Sequence, residues 1–505
     1  MRRAAAVRPA TNLWRRTKVD FEEEEANSGG EESDYHSVSD ESEDSEGLAT
    51  ECEDDRCAGD GGAVWHCVDC DSSYCSDCWP RQGPHKPKKK GRDGVPHEKT
   101  SPHVVRRLKT ILHPTRRADE IQKLHEDDAN TKWFGVSRDL TGRPNLDDFG
   151  RYATLMSSIS PIESLGHRYP QLVSFIGVTN AGKSTLIKLL VNHDLENMSL
   201  ENKENFPSPV VGSVANDSLP TSGDVHLYAD PATHAEQLPI LYADCEGFEG
   251  GERIPIGARA RRRRSGSADP DNLGQSNVHS RPIEWANSEE ARQREYAVTS
   301  LYPRLLYTFS DCVVFVLRNP KTFQSAVLTK LLEWGVAALE KSINQPALPH
   351  CIVAVNGTDP SVDEREWDMA YATQSLLSSV KTALDPVEGV PRFRELADYW
   401  RSLGKQIYSI EDLILRYYST FKVIRIPSKP QYMTINEQVG KLHSAIKGNC
   451  ENSFRAKRRA RMLTNADELN VYLQSGFDHF TTHLNVPFNF MQISLLRNPI
   501  PNDFG

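Results

Sequence analysis

The chain has 505 residues and a formal charge of −10, long enough for two to four folded units of the usual ~100–200 residues. Seventeen Asp and Glu, with no Lys or Arg among them, fall within residues 20–55, so the remainder is mildly basic at +7. There is no run of 18 apolar residues and no apolar core in the Arg-rich start MRRAAAVRPA, which argues against a transmembrane helix and a secretory leader.

Residues 1–50 read as a disordered acidic tail with almost nothing to bury. The cysteine-rich stretch comes next, at 51–100. Six of the ten cysteines, Cys52, Cys57, Cys67, Cys70, Cys75 and Cys78, sit close together, followed by His85 and His97. Eight soft or borderline ligands in four pairs suit two tetrahedral Zn²⁺ ions. All eight positions are filled by the protein, so the zinc is structural, with no open place for water. Metal binding worth roughly 10–16 kcal/mol per site can order a stretch too polar to fold on its own core. His66 and His103 are alternatives to His97 as the last ligand. The other cysteines are far apart, which favours an intracellular metal site over a disulfide framework.

This pattern resembles a B-box zinc finger, with a ZZ-type finger as the next nearest. The B-box resemblance implies a cross-brace, in which Cys52, Cys57, Cys75 and Cys78 hold one ion and Cys67, Cys70, His85 and His97 the other. It also implies a module that binds a protein partner. The four-residue gap between Cys52 and Cys57, where two is usual, departs from the family.

Residues 101–165 read as a partly helical linker, with a helix over Ala118–Ala129. From 166 to 430 short apolar runs alternate with helical patterns. The strands expected are Leu172–Ile176, Pro239–Ala243, Cys312–Leu317, Cys351–Val355 and Phe421–Ile426. Each reads as a strand covered on both faces. The helices expected are Ser184–Asn192, Glu289–Tyr302, Phe323–Lys341, Asp363–Leu384 and Ile410–Ser419. Such alternation predicts an α/β fold with a mostly parallel sheet. The Gly-, Ser- and Arg-rich stretch 250–284 reads as a disordered basic insertion. Residues 431–505 read as a helical C-terminal segment.

The strongest motif is Gly177–Val178–Thr179–Asn180–Ala181–Gly182–Lys183–Ser184, which fits G-x-x-x-x-G-K-S/T between an apolar strand and an apolar-faced helix. Phosphates carry concentrated negative charge, and inward N–H groups at a helix start supply donors and the positive dipole end. Glycines let the backbone approach closely. Lys183 is expected to reach the terminal phosphates, and Ser184, followed by Thr185, to offer its hydroxyl to Mg²⁺. Asp244–Cys245–Glu246–Gly247 forms D-x-x-G at a strand end, with Asp244 holding Mg²⁺ through water and the Gly247 N–H meeting the γ-phosphate. Asn356–Gly357–Thr358–Asp359 follows another strand, and its Asp can accept two hydrogen bonds from guanine. Thr221 is the threonine expected to reach Mg²⁺, with Thr233 as the alternative.

In the order GKS, Thr, DxxG, NxxD, these motifs resemble the translation-factor-related P-loop GTPases. The large flanking segments are similar to those of the septin, dynamin and guanylate-binding members. The resemblance covers about 260 residues and implies a three-layer G domain that binds GTP and GDP with Mg²⁺ and hydrolyses GTP. Two departures matter. Gly357 stands where Lys is usual, and Phe248 where Ras-like members place a water-orienting Gln. Slow intrinsic turnover is therefore expected, helped by a partner, a nucleotide-dependent homodimer or another residue such as Glu249. A zinc-finger scaffold with a nucleotide-binding but poorly hydrolysing domain is the alternative. The basic stretches at 86–92 and 259–264 lack interleaved aromatics, which argues against single-stranded nucleic acid as partner. They leave room for peripheral membrane contact and for nuclear import of an otherwise cytoplasmic protein.

Overall fold

The computed structural model describes residues 51–58, 63–86, 97–112, 123–124, 128–158, 166–193, 206–211, 223–248, 278–339, 347–387 and 389–497. The acidic tail, Thr221, Glu249, most of the stretch 86–92, the stretch 259–264 and most of the helix expected over Ala118–Ala129 lie outside them.

Eleven strands are described. β1 (Val64–Cys67) and β2 (Ser72–Cys75) form an antiparallel hairpin. The other nine form one sheet: β3 (Lys132–Arg138), β4 (Pro144–Asp148), β5 (Gln171–Gly177), β6 (Val225–Ala229), β7 (Ile240–Cys245), β8 (His279–Pro282), β9 (Cys312–Leu317), β10 (His350–Thr358) and β11 (Phe421–Pro427). Its order is β11-β10-β9-β5-β7-β6-β3-β4-β8. The five strands from β11 to β7 run parallel. From β6 onward every pairing is antiparallel.

The helices are α1 (Pro102–Leu112), α2 (Arg151–Ser157), α3 (Lys183–His193), α4 (Tyr302–Phe309), α5 (Thr329–Leu339), α6 (Met369–Ser378), α7 (Pro391–Ser402), α8 (Ile410–Ile414), α9 (Tyr432–Arg459), α10 (Ala466–Thr482) and α11 (Phe490–Arg497). They cover the sheet on both sides because the central strands are apolar on both. Val313, Phe315 and Leu317 of β9 join one core with α4, α5, α6 and α10. Val314 and Val316 join the other, with α1, α3 and α9. The result is a three-layer α/β fold. Among the described residues no helix is long and apolar enough to cross a membrane.

All five expected strands are present: Cys312–Leu317 has the expected bounds, Pro239–Ala243 is shifted to Ile240–Cys245, and the other three are longer than expected. Four expectations need correction. The span 101–165 is not simply a partly helical linker, since it supplies β3 and β4 to the main sheet. The stretch 250–284 contains β8, whose His279–Pro282 pair with Asn145–Asp148. The helix expected at Glu289–Tyr302 starts at Arg294 and continues through a π-helical stretch into α4. Asp363–Leu384 is also broken, into two 3₁₀ turns around α6, because Asp368 caps a fresh helix by accepting from the Tyr371 N–H.

Candidate functional site

In an open parallel sheet, ligands bind outside the carboxyl ends of the strands. Here the register brings those ends together. Gly177 of β5 lies level with Val316 of β9, and Val316 with Ala354 of β10. The Gly177–Ser184 loop, Arg318 and the Asn356–Asp359 segment therefore leave the sheet at one edge. Asp244 at the end of β7 is paired with Phe175, two residues before the loop.

The loop from Gly177 to Gly182 carries the strand into α3, and the Leu186 N–H donates to the Gly182 carbonyl at 2.9 Å. Asn180 and Gly182 take φ of +61° and +95°, a left-handed geometry that costs a side chain at 182 doubly. A Cβ on Gly182 would run into the Asn356 side chain, and one on Gly177 into the Val316 carbonyl. Asn356 donates from Nδ2 to the Ala181 carbonyl at 2.8 Å. This bond joins the third motif to the first across 175 positions. Ala181 is fully buried beneath the loop, and Thr185 is half-buried on the first turn of α3.

Lys183 is 6% exposed and donates to the carbonyls of Val178 (3.0 Å) and Gly177 (3.3 Å). Ser184 donates to Asp244 Oδ2 at 2.6 Å. Burial pushes the Lys183 pKa down, and Asp244, Cys245 and Glu246 oppose it. Burial pushes Asp244 up, against the pull of Lys183 and Ser184. Both shifts follow from sinking opposite charges into a low-dielectric site. A cation between Ser184 and Asp244, and phosphate oxygens facing Lys183, match this donor set.

The segment after β7 docks on the loop. The Thr179 N–H and hydroxyl both donate to the Phe248 carbonyl at 2.9 Å, and the Phe248 N–H donates to the Gly177 carbonyl at 3.1 Å. Gly247 faces Thr179 so closely that a Cβ there would strike its backbone. Phe248 is fully buried, 5.9 Å from the Trp334 ring and 6.3 Å from Phe315. Its side chain is part of the core and is not available to orient water.

Thr358 is buried, its hydroxyl donating to the Val355 carbonyl at 3.0 Å. Asp359 stands exposed one residue beyond β10 and accepts the Ser361 N–H at 2.8 Å, which lowers its carboxyl pKa. Gly357 has φ +73° where the β10–β11 register slips between Asn356 and Thr358. Thr233 does not belong to this edge. It lies past the far end of β6, which runs antiparallel to β7, buried and donating to Asp230 Oδ2 at 2.7 Å.

Sequence reasoning passed over a buried ionic cluster behind the D-x-x-G segment. Arg294 donates to Asp224 Oδ1 (2.6 Å) and to Glu246 Oε2 (2.5 Å), and Lys132 lies 3.3 Å from Asp224 Oδ2. Burial opposes the charge on Arg294, but Asp224 and Glu246 hold its pKa well above the ordinary value. Asp224 and Arg294 are 70 positions apart, and nothing local in the sequence pairs them.

The cysteine module brings its eight candidate ligands into two groups, Cys52, Cys57, Cys75 and Cys78, and Cys67, Cys70, His85 and His97. Within each group the ligand atoms lie within 4.8 Å of one another. Cys57 and Cys75 sulfurs are 3.8 Å apart, and His97 Nδ1 is 3.3 Å from Cys67 Sγ. A tetrahedral ion with Zn–S bonds of 2.3 Å sets sulfur–sulfur edges of about 3.8 Å, so the donor set fits zinc. His66 is elsewhere, bonded to Ser73 Oγ at 3.2 Å. His103 is outside both groups. Glu98, next to His97, accepts the N–H groups of Met433 (3.1 Å) and Thr434 (3.0 Å) at the start of α9.

No protein-family model matches the chain, and no curated protein matches its sequence. Among solved structures, an ADP-ribosylation-factor-like GTP-binding protein, the small COPII coat GTPase SAR1 of Encephalitozoon cuniculi in complex with GDP, aligns at 12% identity. The alignment covers 60% of this chain and 91% of that one, with a TM-score of 0.20. The functional reading therefore rests on the strand order and on the residues at the sheet edge.

Proposed function

We propose that this protein binds a guanine nucleotide with Mg²⁺ at the edge defined by Gly177–Thr185, Asp244–Gly247 and Asn356–Asp359, and hydrolyses GTP to GDP and phosphate. One observation carries the reading. Three motifs separated by up to 182 positions converge on one loop, through the Asn356–Ala181, Ser184–Asp244 and Thr179–Phe248 hydrogen bonds. In this reading the loop N–H groups and Lys183 hold the phosphates. Ser184 and Asp244 hold the cation, with Thr221 as its nucleotide-dependent ligand. Gly247 senses the γ-phosphate, and Asp359 reads the base. Two structural zinc ions hold the cysteine module, which serves as the docking surface for a protein partner.

A second reading, a nucleotide-binding scaffold with poor turnover, is favoured by one specific observation. The Phe248 ring is locked in the core, so the position after Gly247 lends no polar side chain to water. Phosphate release measured on purified, zinc-loaded protein, with and without Lys183→Ala, separates the two. Release above the variant's background supports the GTPase; equal, negligible release with intact GTP binding supports the scaffold.

A further inference from the structure

The motif that reads guanine in this reading lacks its usual lysine, since residue 357 is Gly. The lysine stem normally lies over one face of the base, so that face needs another cover. The structure holds a cation in that place. Gly357 adopts φ +73° at a register slip. A Cβ built on it would point at Arg318, 3.8 Å from Nε and 3.9 Å from Nη2. Arg318 is exposed and follows directly on β9. The register that pairs Leu317 with Val355 sets it level with Asn356. So the direction a lysine side chain would take from residue 357 is already occupied by a guanidinium from the neighbouring strand.

We propose that Arg318 covers the base of the bound nucleotide, taking the place left by Gly357 and setting the affinity for the purine. A guanidinium is planar, always charged and weakly hydrated, and stacks on aromatic faces. A second cation from a lysine at 357 would meet Arg318 at close range. Glycine at 357 and arginine at 318 are therefore complementary choices, not one loss. Gly182 and Asn356 fix the loop beneath, and Arg318 closes the site from the β9 side. This inference rests on the guanine-nucleotide reading.

The test uses the full-length, zinc-loaded chain and a fluorescent GDP analogue, with unlabelled GDP and inorganic tripolyphosphate as competitors. The wild-type chain is expected to bind the analogue. Arg318→Ala is expected to weaken GDP binding by about 10-fold, to leave tripolyphosphate competition unchanged, and to melt at the wild-type temperature without nucleotide. Arg318→Lys is expected to recover part of the loss, and so is Gly357→Lys placed in the Arg318→Ala chain. Equal GDP affinity in wild type and Arg318→Ala overturns the proposal while leaving the nucleotide site standing. Equal losses for GDP and tripolyphosphate overturn it too, by moving Arg318 from base to phosphate. No binding by the wild-type chain removes the nucleotide reading and this inference together.

Discussion

Lys183 is the most exacting residue at the candidate site, because a buried ammonium held by two carbonyls has its affinity concentrated on whatever anion faces it. Lys183→Ala is expected to lower GTP binding by at least 100-fold with a small change in melting temperature; titration of labelled GTP checks it, and tight binding by the variant would remove Lys183 from the site. Asp359→Asn should shift preference from GTP toward xanthosine triphosphate, since the swapped donor pattern matches that base edge. Phe248 belongs to a different category. Deleting a ring buried between Phe315, Trp334 and the Lys330 ammonium, 4.2 Å from the ring centre, is expected to cost about 3–5 kcal/mol of stability, and a denaturant midpoint close to wild type would contradict its role in the core. Acid should weaken the fold through two buried imidazoles. Burial depresses His234 and His350 to about 4. Both stay neutral when folded but gain a proton near 6.5 when unfolded, so their stabilisation is complete above pH 6.5 and lost as pH falls toward 4. At pH 5 each costs at most about 2 kcal/mol. A melting temperature that does not fall between pH 7 and pH 5 would contradict this.

At the level of elements, the five parallel strands were readable because each is a short apolar run buried on both faces. The antiparallel extension was not. β4, PNLDD, has Leu146 as its one large apolar residue, and β8, HSRP, has none. Strands of this kind, β8 at the sheet edge and β4 beside it, are held by neighbours and by long-range bonds such as Arg281 to Asp478, features that no local period announces. Eight candidate ligands for two metal ions were readable from spacing, as pairs of cysteines four residues apart leave little else to do; their division into two groups of four came from the B-box resemblance. Their consequence was not. Glu98 caps the first turn of α9, and α9 packs against α3, the helix leaving the Gly177–Gly182 loop. A carboxylate at a helix start is favoured by unpaired N–H groups and the helix dipole. Glu98→Ala is expected to lower stability by about 1–2 kcal/mol, read as a shift in the thermal midpoint of zinc-loaded protein. No shift would mean that the cap is idle.

At the scale of the whole molecule, three chain segments that sequence alone kept separate share one pair of cores. Residues 132–148 extend the sheet, α9 completes the layer over α3, and α10 packs on the opposite face. A motif-bearing region of about 260 residues was legible; its dependence on what precedes and follows it was not, because the contacts are long-range. Removing residues 431–497 is therefore expected to abolish cooperative unfolding of the remainder, measurable by calorimetry. The central claim is that one guanine nucleotide sits on the loop after β5. Isothermal titration of GDP with Mg²⁺ into the zinc-loaded chain tests it most directly. The expected result is saturable heat with about one site per chain and no comparable heat from ADP. Absence of heat with both GDP and a non-hydrolysable GTP analogue, on protein that melts cooperatively, would contradict it.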